Sequence, residues 1–498
     1  TTGGKLNIFG SLTVTDAIIN NVPAADVVVE SDGNLIQVNE GVNINTGSVT
    51  EKRTLNLSTG RLEYNYLISP LEGQTLKDIY TAAGAVAPVV LYHNETSNRF
   101  SASSGAYIKG RGLAVKEPTT AFVPTTLNTT FTGKPTNGAF TYNVVNSNPT
   151  DTNRGYNLVG NPSPSNIDML TFYTVNGGAS GNLFSTAYFW DNKANNKTIQ
   201  YGDAYGGQSY GILNLVSGAG TAGTGDIALT KTPTRYVKTG QAFMVKSKVA
   251  AAAITFNNTM RTYQSGATSF FGKNTVEGET PTDRYWLNMI TPENIAAQIA
   301  VVYFAEWNNG FTADDSRVMG GSDAVYSIVE GEKVAINGRS SFVNTDVIAL
   351  GSQHFAAGNY TIALGAKEGL FAEGQNIYLR DKQTSTVTNL SQGNYTFAAT
   401  AGESSGRFEL VYLPEIYLVT DATQKEELVV YKEGTDLVVK AAAKKITALE
   451  MVDSSGRLLL KIQPNNTRVV IPAGHMTNGV YILKINQGGK VSTKKVMK

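Results

Sequence analysis

Three histidines, His93, His354 and His475, are all the sequence offers for imidazole chemistry. None forms a His-x-x-x-His or Glu-x-x-His pair, so the usual zinc spacings are absent. There is no Cys, which excludes thiol catalysis, Cys-ligated zinc and lipid attachment through an N-terminal Cys. No Gly-x-Ser-x-Gly elbow and no phosphate loop ending in Gly-Lys-Ser/Thr occurs. Two carboxylates that meet only in the fold leave no linear signature. A secreted hydrolase therefore stays as a third reading, while the expectation is a protein that is not an enzyme, with no catalytic residue, metal or cofactor.

Oxygen-rich ligands sit close together once. Asp314-Asp315-Ser316 follows Asn308-Asn309-Gly310 in one loop. Such a run suits Ca²⁺, but no bidentate closing acid completes a loop motif, and a solvated turn is the simpler reading. Aromatics are numerous, with 24 Tyr, 19 Phe and 3 Trp. Exposed rings stack on the apolar faces of sugars, whereas rings in strands mostly fill cores. Trp190 beside Asp191 and Trp307 beside Asn308 fall at expected strand ends, where core packing is favoured over ligand contact. Asn161-Pro162-Ser163-Pro164 reads as a rigid turn, because Pro restricts its predecessor and removes donors.

The elements that would position these groups read as strands throughout. The chain has 498 residues, 41% apolar and only 16% charged, with 50 Gly. Thr suits strands while Gly and Asn tolerate turn backbones, so the composition points to an all-β, multidomain protein built of β-sandwiches. Helix signals are confined to Leu76 to Thr81 and Asn166 to Phe172, each a single turn. The best apolar runs, Val249 to Phe256 and Ile295 to Ala305, fall short of the roughly 18 residues that span a bilayer, and read as buried strands. The chain opens on Thr1-Thr2-Gly3-Gly4 with no charged-then-apolar leader, and the expectation is a mature or trimmed N-terminus. Charge is uneven. From Lys425 onward there are 13 Lys and Arg against 6 Asp and Glu, and before it 28 against 34. A mildly acidic body thus ends in a basic module. Basic and aromatic residues do not interleave as nucleic-acid platforms require, so no nucleic-acid partner is expected.

Five segments follow from the turn signals. Residues 1–55 alternate short apolar runs with Gly and Asn turns, as at Asp32-Gly33, which fits either a hairpin or solenoid-like rungs that cap the next domain. Residues 56–280 hold three ordered pairs of similar segments: Asn65 to Pro70 with Tyr156 to Pro162, Gly110 to Lys116 with Thr239 to Lys246, and Thr129 to Gly133 with Ile254 to Asn258. An internal duplication is the expectation. Residues 281–414 offer seven short strands with frequent turns, the pattern of a β-sandwich. Residues 415–424 read as a polar linker. Residues 425–498 hold two hairpins, turning at Gly456 and at Gly488-Gly489, plus two further strands, and read as a small Ig-like β-sandwich.

That last module resembles the C-terminal sorting domain of the Bacteroidota type IX secretion system. The likeness rests on Asp453-Ser454-Ser455-Gly456-Arg457 after an apolar strand, on Gly479 to Ile485, and on the Lys-rich ending Gly489 to Val496. Upstream, Tyr156 to Pro164, Tyr188 to Asp191, Gly240 to Lys246 and Gly374 to Asp381 are similar to segments of flavobacterial surface proteins. The resemblance implies export through the periplasm and residence at the cell surface or outside the cell. It implies partners in the outer-membrane translocon and its shuttle β-barrel, with a cell-surface glycan or lipopolysaccharide as a further candidate. Gly456, Gly479, Tyr481, Gly489, Lys490, Lys494 and Lys495 are the residues it singles out for recognition, Gly479 as the turn into a strand anchored by Tyr481. For the body, a structural or adhesive role leads and an array of carbohydrate-binding modules is the alternative.

Overall fold

The computed structural model describes residues 4–41, 44–56, 64–79, 89–116, 126–178, 181–191, 210–226, 228, 230–264, 283–319, 323–413, 428–441 and 444–498. The expected linker at 415–424 lies outside these residues. The protein is all-β, with 54% of residues in strands and 4% in helices. It divides into two compact units, one within residues 1–415 and one within 416–498.

The first unit begins as a solenoid. Strand Leu6–Ile8 lies parallel to Val27–Val29, which lies parallel to the start of Val49–Asn56. Beside this row Ser11–Val14 lies parallel to Asn34–Gln37. Leu6 faces Val27, Val28 faces Thr50 and Ser11 faces Asn34, offsets of 21, 22 and 23 residues, so each rung spends about that length on two short strands and their corners. Such rungs bury little alone. They dock on the next module through Leu35 N–H to the Pro164 carbonyl at 2.7 Å and Asn166 N–H to Asn34 Oδ1 at 2.8 Å. The Asn161–Pro164 turn is therefore a joint as well as a corner. Its own shape is held by Ser163 N–H donating to Asn161 Oδ1 at 3.0 Å.

Two of the three pairs of similar segments fall on corresponding strands of two sheets, whereas the third falls on Thr126–Pro135 and Ala251–Phe256, which belong to other sheets with different neighbours. Tyr64–Leu67 pairs antiparallel with Leu113–Lys116, and Tyr156–Gly160 with Ala242–Ser247. The registers correspond: Tyr64 faces Lys116 as Tyr156 faces Lys246, and Leu67 faces Leu113 as Val159 faces Phe243. The next strands, Val90–Asn94 and Leu183–Trp190, add to the same edge in the same register, Val115 facing Val90 as Val245 faces Ala187. The two copies meet reciprocally. Ile68 N–H donates to the Gly240 carbonyl at 2.9 Å, and Gly160 N–H donates to that of Gly110 at 3.2 Å. This is the self-complementary pattern of an isologous interface. Two glycines make it close enough. A Cβ on Gly112 would lie 2.6 Å from the Ala242 Cβ, and one on Gly160 would lie 2.6 Å from the Ile68 side chain. The α-helix Met169–Asn176 covers the second copy, with Asp168 as N-cap accepting from Leu170 N–H at 3.0 Å.

The third segment forms one hydrogen-bonded sheet rather than two separately bonded layers, its eleven strands joined by a twelfth, Gly225–Asp226, from the preceding segment. It curls into a near-barrel around a core that includes Tyr285, Leu287, Val301, Phe371, Phe408 and Tyr412. Inside, the hydroxyls of Tyr285 and Tyr303 meet that of Tyr412 at 2.7 and 2.6 Å, and Tyr303 also donates to Asp346, which Arg339 grips at 2.6 Å. Buried hydroxyls need such partners. The expected boundary near residue 280 is bridged by a common core: Tyr66, Leu158, Tyr188 and Met244 from the duplicated sheets pack with Trp286, Val302 and Ile336.

The second unit is a sandwich of three and four antiparallel strands. Leu437, Val439, Leu449, Tyr481, Leu483 and Ile485 fill its core.

Candidate functional site

Two places hold the candidate functional residues, one in each unit. In the second unit, Gly456 sits at φ +84° in the turn after Ala448–Asp453. Asp453 ties this turn down: its carboxylate accepts N–H bonds from Ser455 and Arg457, each at 3.0 Å. The Ser455 hydroxyl bond leads the effects that hold the Asp453 carboxyl below the usual carboxylate range. Gly488 and Gly489 have φ of +61° and +93° between Val480–Gln487 and Lys490–Met497, where an L side chain would be strained. Tyr481 is buried and donates to the Thr477 carbonyl at 2.6 Å, an anchor with its polar end satisfied.

Gly479 differs from its expected part. Its φ is outside the left-handed region and a Cβ there would meet nothing within 4 Å, so no turn geometry demands glycine. Its carbonyl instead accepts Lys498 N–H at 3.0 Å, closing the last strand against its neighbour. The lysines of that strand divide between faces. Lys494 faces Leu483, on the core side, and Lys495 faces Ile482, on the outer side. Lys490 is exposed opposite Gln487.

In the first unit, a cleft of about 890 Å³ opens where the second copy's sheet parts from the third segment. Tyr188, Tyr210 and Met244 form part of its wall, and His93 and Phe100 reach it from the first copy. Phe311, Arg317, Glu332 and Lys333 line it from the third segment. Tyr156 packs edge-on against Tyr188 at 5.7 Å, and the Tyr66 and Tyr210 hydroxyls meet at 2.6 Å below. Cations lie over the aromatic faces: Lys246 over Tyr156 at 4.9 Å, Lys248 over Phe184 at 5.9 Å and Arg317 over Phe311 at 4.3 Å. Arg317 donates to Glu332 at 2.8 Å, and Lys333 pairs with Glu403 at 2.6 Å. Lys246 and Lys248 donate only to backbone, to the carbonyls of Thr152 at 2.6 Å and Gly178 at 2.9 Å, and among the described residues neither has a carboxylate at ion-pair distance. Burial, then repulsion from Arg317, lowers the Lys246 ammonium from its ordinary value.

Asp315 belongs to this wall, and both it and the neighbouring Asp314 are buried rather than solvated. Asp315 accepts N–H bonds from Thr312 at 2.9 Å and Gly338 at 3.0 Å, and Asp314 accepts from the Thr312 hydroxyl. Burial pushes the Asp315 carboxyl up to about 7 despite those bonds. Asn308 and Asn309 turn to Gly310 N–H and Ser340 N–H instead. The six residues thus brace a loop, and among the described residues no three His, Asp or Glu side chains converge as metal ligands. His93 accompanies Asn98 at 3.2 Å, His354 stacks edge-on at 4.4 Å from Tyr360, and His475 is exposed. Trp190 is buried against Tyr66 with its N–H on the Tyr64 carbonyl at 3.0 Å. Trp307 is half-buried beside Phe304. Lys246 lies within a stretch singled out for its likeness to surface proteins, but nothing in the linear pattern distinguishes it from Lys116.

No helix among the described residues is long and apolar enough to cross a membrane. No curated protein matches the chain. Among solved structures, PorZ, described as an essential bacterial surface component of the type-IX secretion system of Porphyromonas gingivalis, aligns at 13% identity over 32% of this chain and 22% of that one, with a TM-score of 0.13. The chain thus spans under a quarter of that protein, and the likeness carries no argument about fold or role. Two family models match directly. Residues 1–412 match the family described as Domain of unknown function (DUF8693), and residues 435–498 match the secretion system C-terminal sorting domain. By its body the chain belongs to the family described as Domain of unknown function (DUF8693), and by its C-terminal unit it is a type IX secretion substrate, exported across the outer membrane.

Proposed function

We propose that the chain is a structural and adhesive protein of the cell surface, with no catalytic step of its own. The observation that carries this reading is the division of the molecule. A complete small sandwich with its own core forms the sorting unit. The rest is a rigid assembly of solenoid, duplicated sheets and near-barrel, joined by shared cores. Tandem β modules of this kind resist proteolysis and hold a binding surface away from the membrane. The sorting unit engages the translocon and shuttle β-barrel, with its exposed lysines assisting encounter with acidic surfaces.

A second reading, a carbohydrate-binding body, is favoured by the aromatic and hydroxyl-rich lining of the cleft. A hydrolase would need two converging carboxylates free of structural bonds.

The test uses the full chain and a chain ending at residue 415, each expressed in a host with the secretion system. Antibody labelling of intact cells reads delivery, and retention on a glycan-coated surface reads adhesion. The expected result is labelling and retention for the full chain alone. Labelling without any gain in retention contradicts the adhesive part of the reading. Equal labelling of both chains contradicts the division.

A further inference from the structure

We infer that the cleft between the second copy's sheet and the third segment binds an acidic saccharide, a sugar carrying carboxylate or phosphate, with Lys246 and Lys248 as its anion contacts. This deepens the surface-binding reading and rests on it.

The volume, about 890 Å³, falls within the roughly 300–1,000 Å³ range of small-ligand clefts. Its lining mixes aromatic rings with hydroxyls and amides, among them Tyr156, Thr186, Thr312, Asn98 and Asn153. That mixture suits a ligand dense in hydroxyl groups.

The decisive feature is charge. Arg317 and Lys333 each have a carboxylate partner. Lys246 and Lys248 line the same cleft and have none among the described residues. Asp315, the remaining carboxyl on the wall, has its ionisation suppressed by burial. Asp151 and Glu332 reach Lys246 only through longer-range attraction. Two partly buried ammonium groups thus lack a paired carboxylate, which is costly, and an anion between them reduces that cost.

The rings bear on the same choice. The faces of Tyr156 and Phe184 already carry the two lysines. They hold cations in place, as a site for charge does, and are not free platforms for a neutral sugar. Phe100 is the exposed ring at the rim, open to the apolar face of a sugar ring.

The first copy supplies an internal control. Lys116 lies over Tyr64 at 5.8 Å in the register equivalent to Lys246 over Tyr156, but Lys116 does not line the cleft.

The experiment titrates the full chain by calorimetry at low salt with trigalacturonate, a neutral trisaccharide of equal length, glucose 6-phosphate and an oligoglutamate peptide. Binding of trigalacturonate, of glucose 6-phosphate or of both supports the proposal, and the pair separates carboxylate from phosphate as the recognised group. Lys246→Ala should weaken binding about tenfold or more, the loss of one charge-assisted bond. Lys246→Arg should recover most of it, and Lys116→Ala should leave it unchanged. A melting curve for each variant separates loss of a contact from loss of fold. Equal binding of the neutral sugar, tighter binding of the peptide, or a Lys116→Ala effect equal to that of Lys246→Ala overturns the assignment. Binding of none of the four probes overturns it too. Retention of intact cells on a glycan surface in that last case would still leave the surface reading standing.

Discussion

The body and the sorting unit solve the same problem, burying β-sheet faces, by different means. The body spreads its core over three segments and tolerates buried polar groups, from the Tyr285, Tyr303 and Tyr412 hydroxyls to Asp315. The sorting unit packs an almost wholly apolar core between two small sheets and leaves its charges outside. Large assemblies can absorb the cost of buried polar groups, whereas a domain of about 70 residues has only about 3–5 kcal/mol to lose. The unit that carries the address is therefore simple and sensitive to single core changes, and the unit that meets the outside world is large enough to hold an unevenly charged cleft.

The largest expected effect falls on the small unit. Tyr481→Ala removes a buried ring and its hydrogen bond, at about 3–5 kcal/mol. Two melting transitions are expected in the full chain. This substitution should abolish the sorting-unit transition and surface labelling together while the body transition stays in place. Loss of both transitions would break the comparison.

Next comes the joint between the two copies. Gly112→Val places a side chain against Ala242 and the Val159 carbonyl, an overpacking cost of about 2–3 kcal/mol. The body transition should fall by several degrees with the sorting unit unaffected, as calorimetry would read.

Individual carboxyls of the two units should respond to pH with opposite signs. Burial raises the folded Asp315 carboxyl from its ordinary 3.8 to about 7. At this site the folded body therefore holds a proton that the unfolded chain has released between about pH 4 and 7, and the Asp315 contribution to stability falls as pH rises through that window, by at most about 1.4 kcal/mol per unit. His93 and His354, lowered by burial, contribute with the opposite sign. In the sorting unit, the Lys461 bond to Glu450 and the Ser455 bond to Asp453 lower both carboxyls. Their contribution is present above about pH 4 and is lost as pH falls further. Denaturant midpoints from pH 3 to 8 would show this, and the body of Asp315→Asn should lose less stability than the unsubstituted body as pH rises from about 4 to 7.

The smallest effect on stability is expected from the exposed lysines. Changing Lys490 and Lys495 to Ala should move the sorting-unit transition by less than about 0.5 kcal/mol. Any larger loss of surface labelling then reports recognition and not folding.

How far these features were legible depends on their range along the chain. Period-two alternation puts Tyr481, Leu483 and Ile485 on one face of their strand, and all three are buried. The all-β class followed from turn residues between short apolar runs. The strands Glu332–Arg339 and Val347–His354 escaped, because Asn337, Gly338 and Gly351 interrupt their apolar pattern. Those glycines answer to distant partners: a Cβ on Gly338 would strike Asp314, and one on Gly351 would strike the Tyr326 ring. The cleft was illegible for the same reason. Its residues come from three stretches around 93–100, 152–248 and 311–333, and no local spacing joins them. The buried fate of Asp315 depended on a donor from Gly338, 23 residues away.

The most direct test of the division between address and body is to join residues 416–498 to an inert periplasmic reporter in a strain with the secretion system. Protease accessibility on intact cells reads the result. The account predicts that the reporter reaches the surface only when the segment is present, and that removing the last strand, Lys490–Met497, leaves it in the periplasm. A reporter that reaches the surface equally well with the segment absent, or with that strand removed, would contradict it.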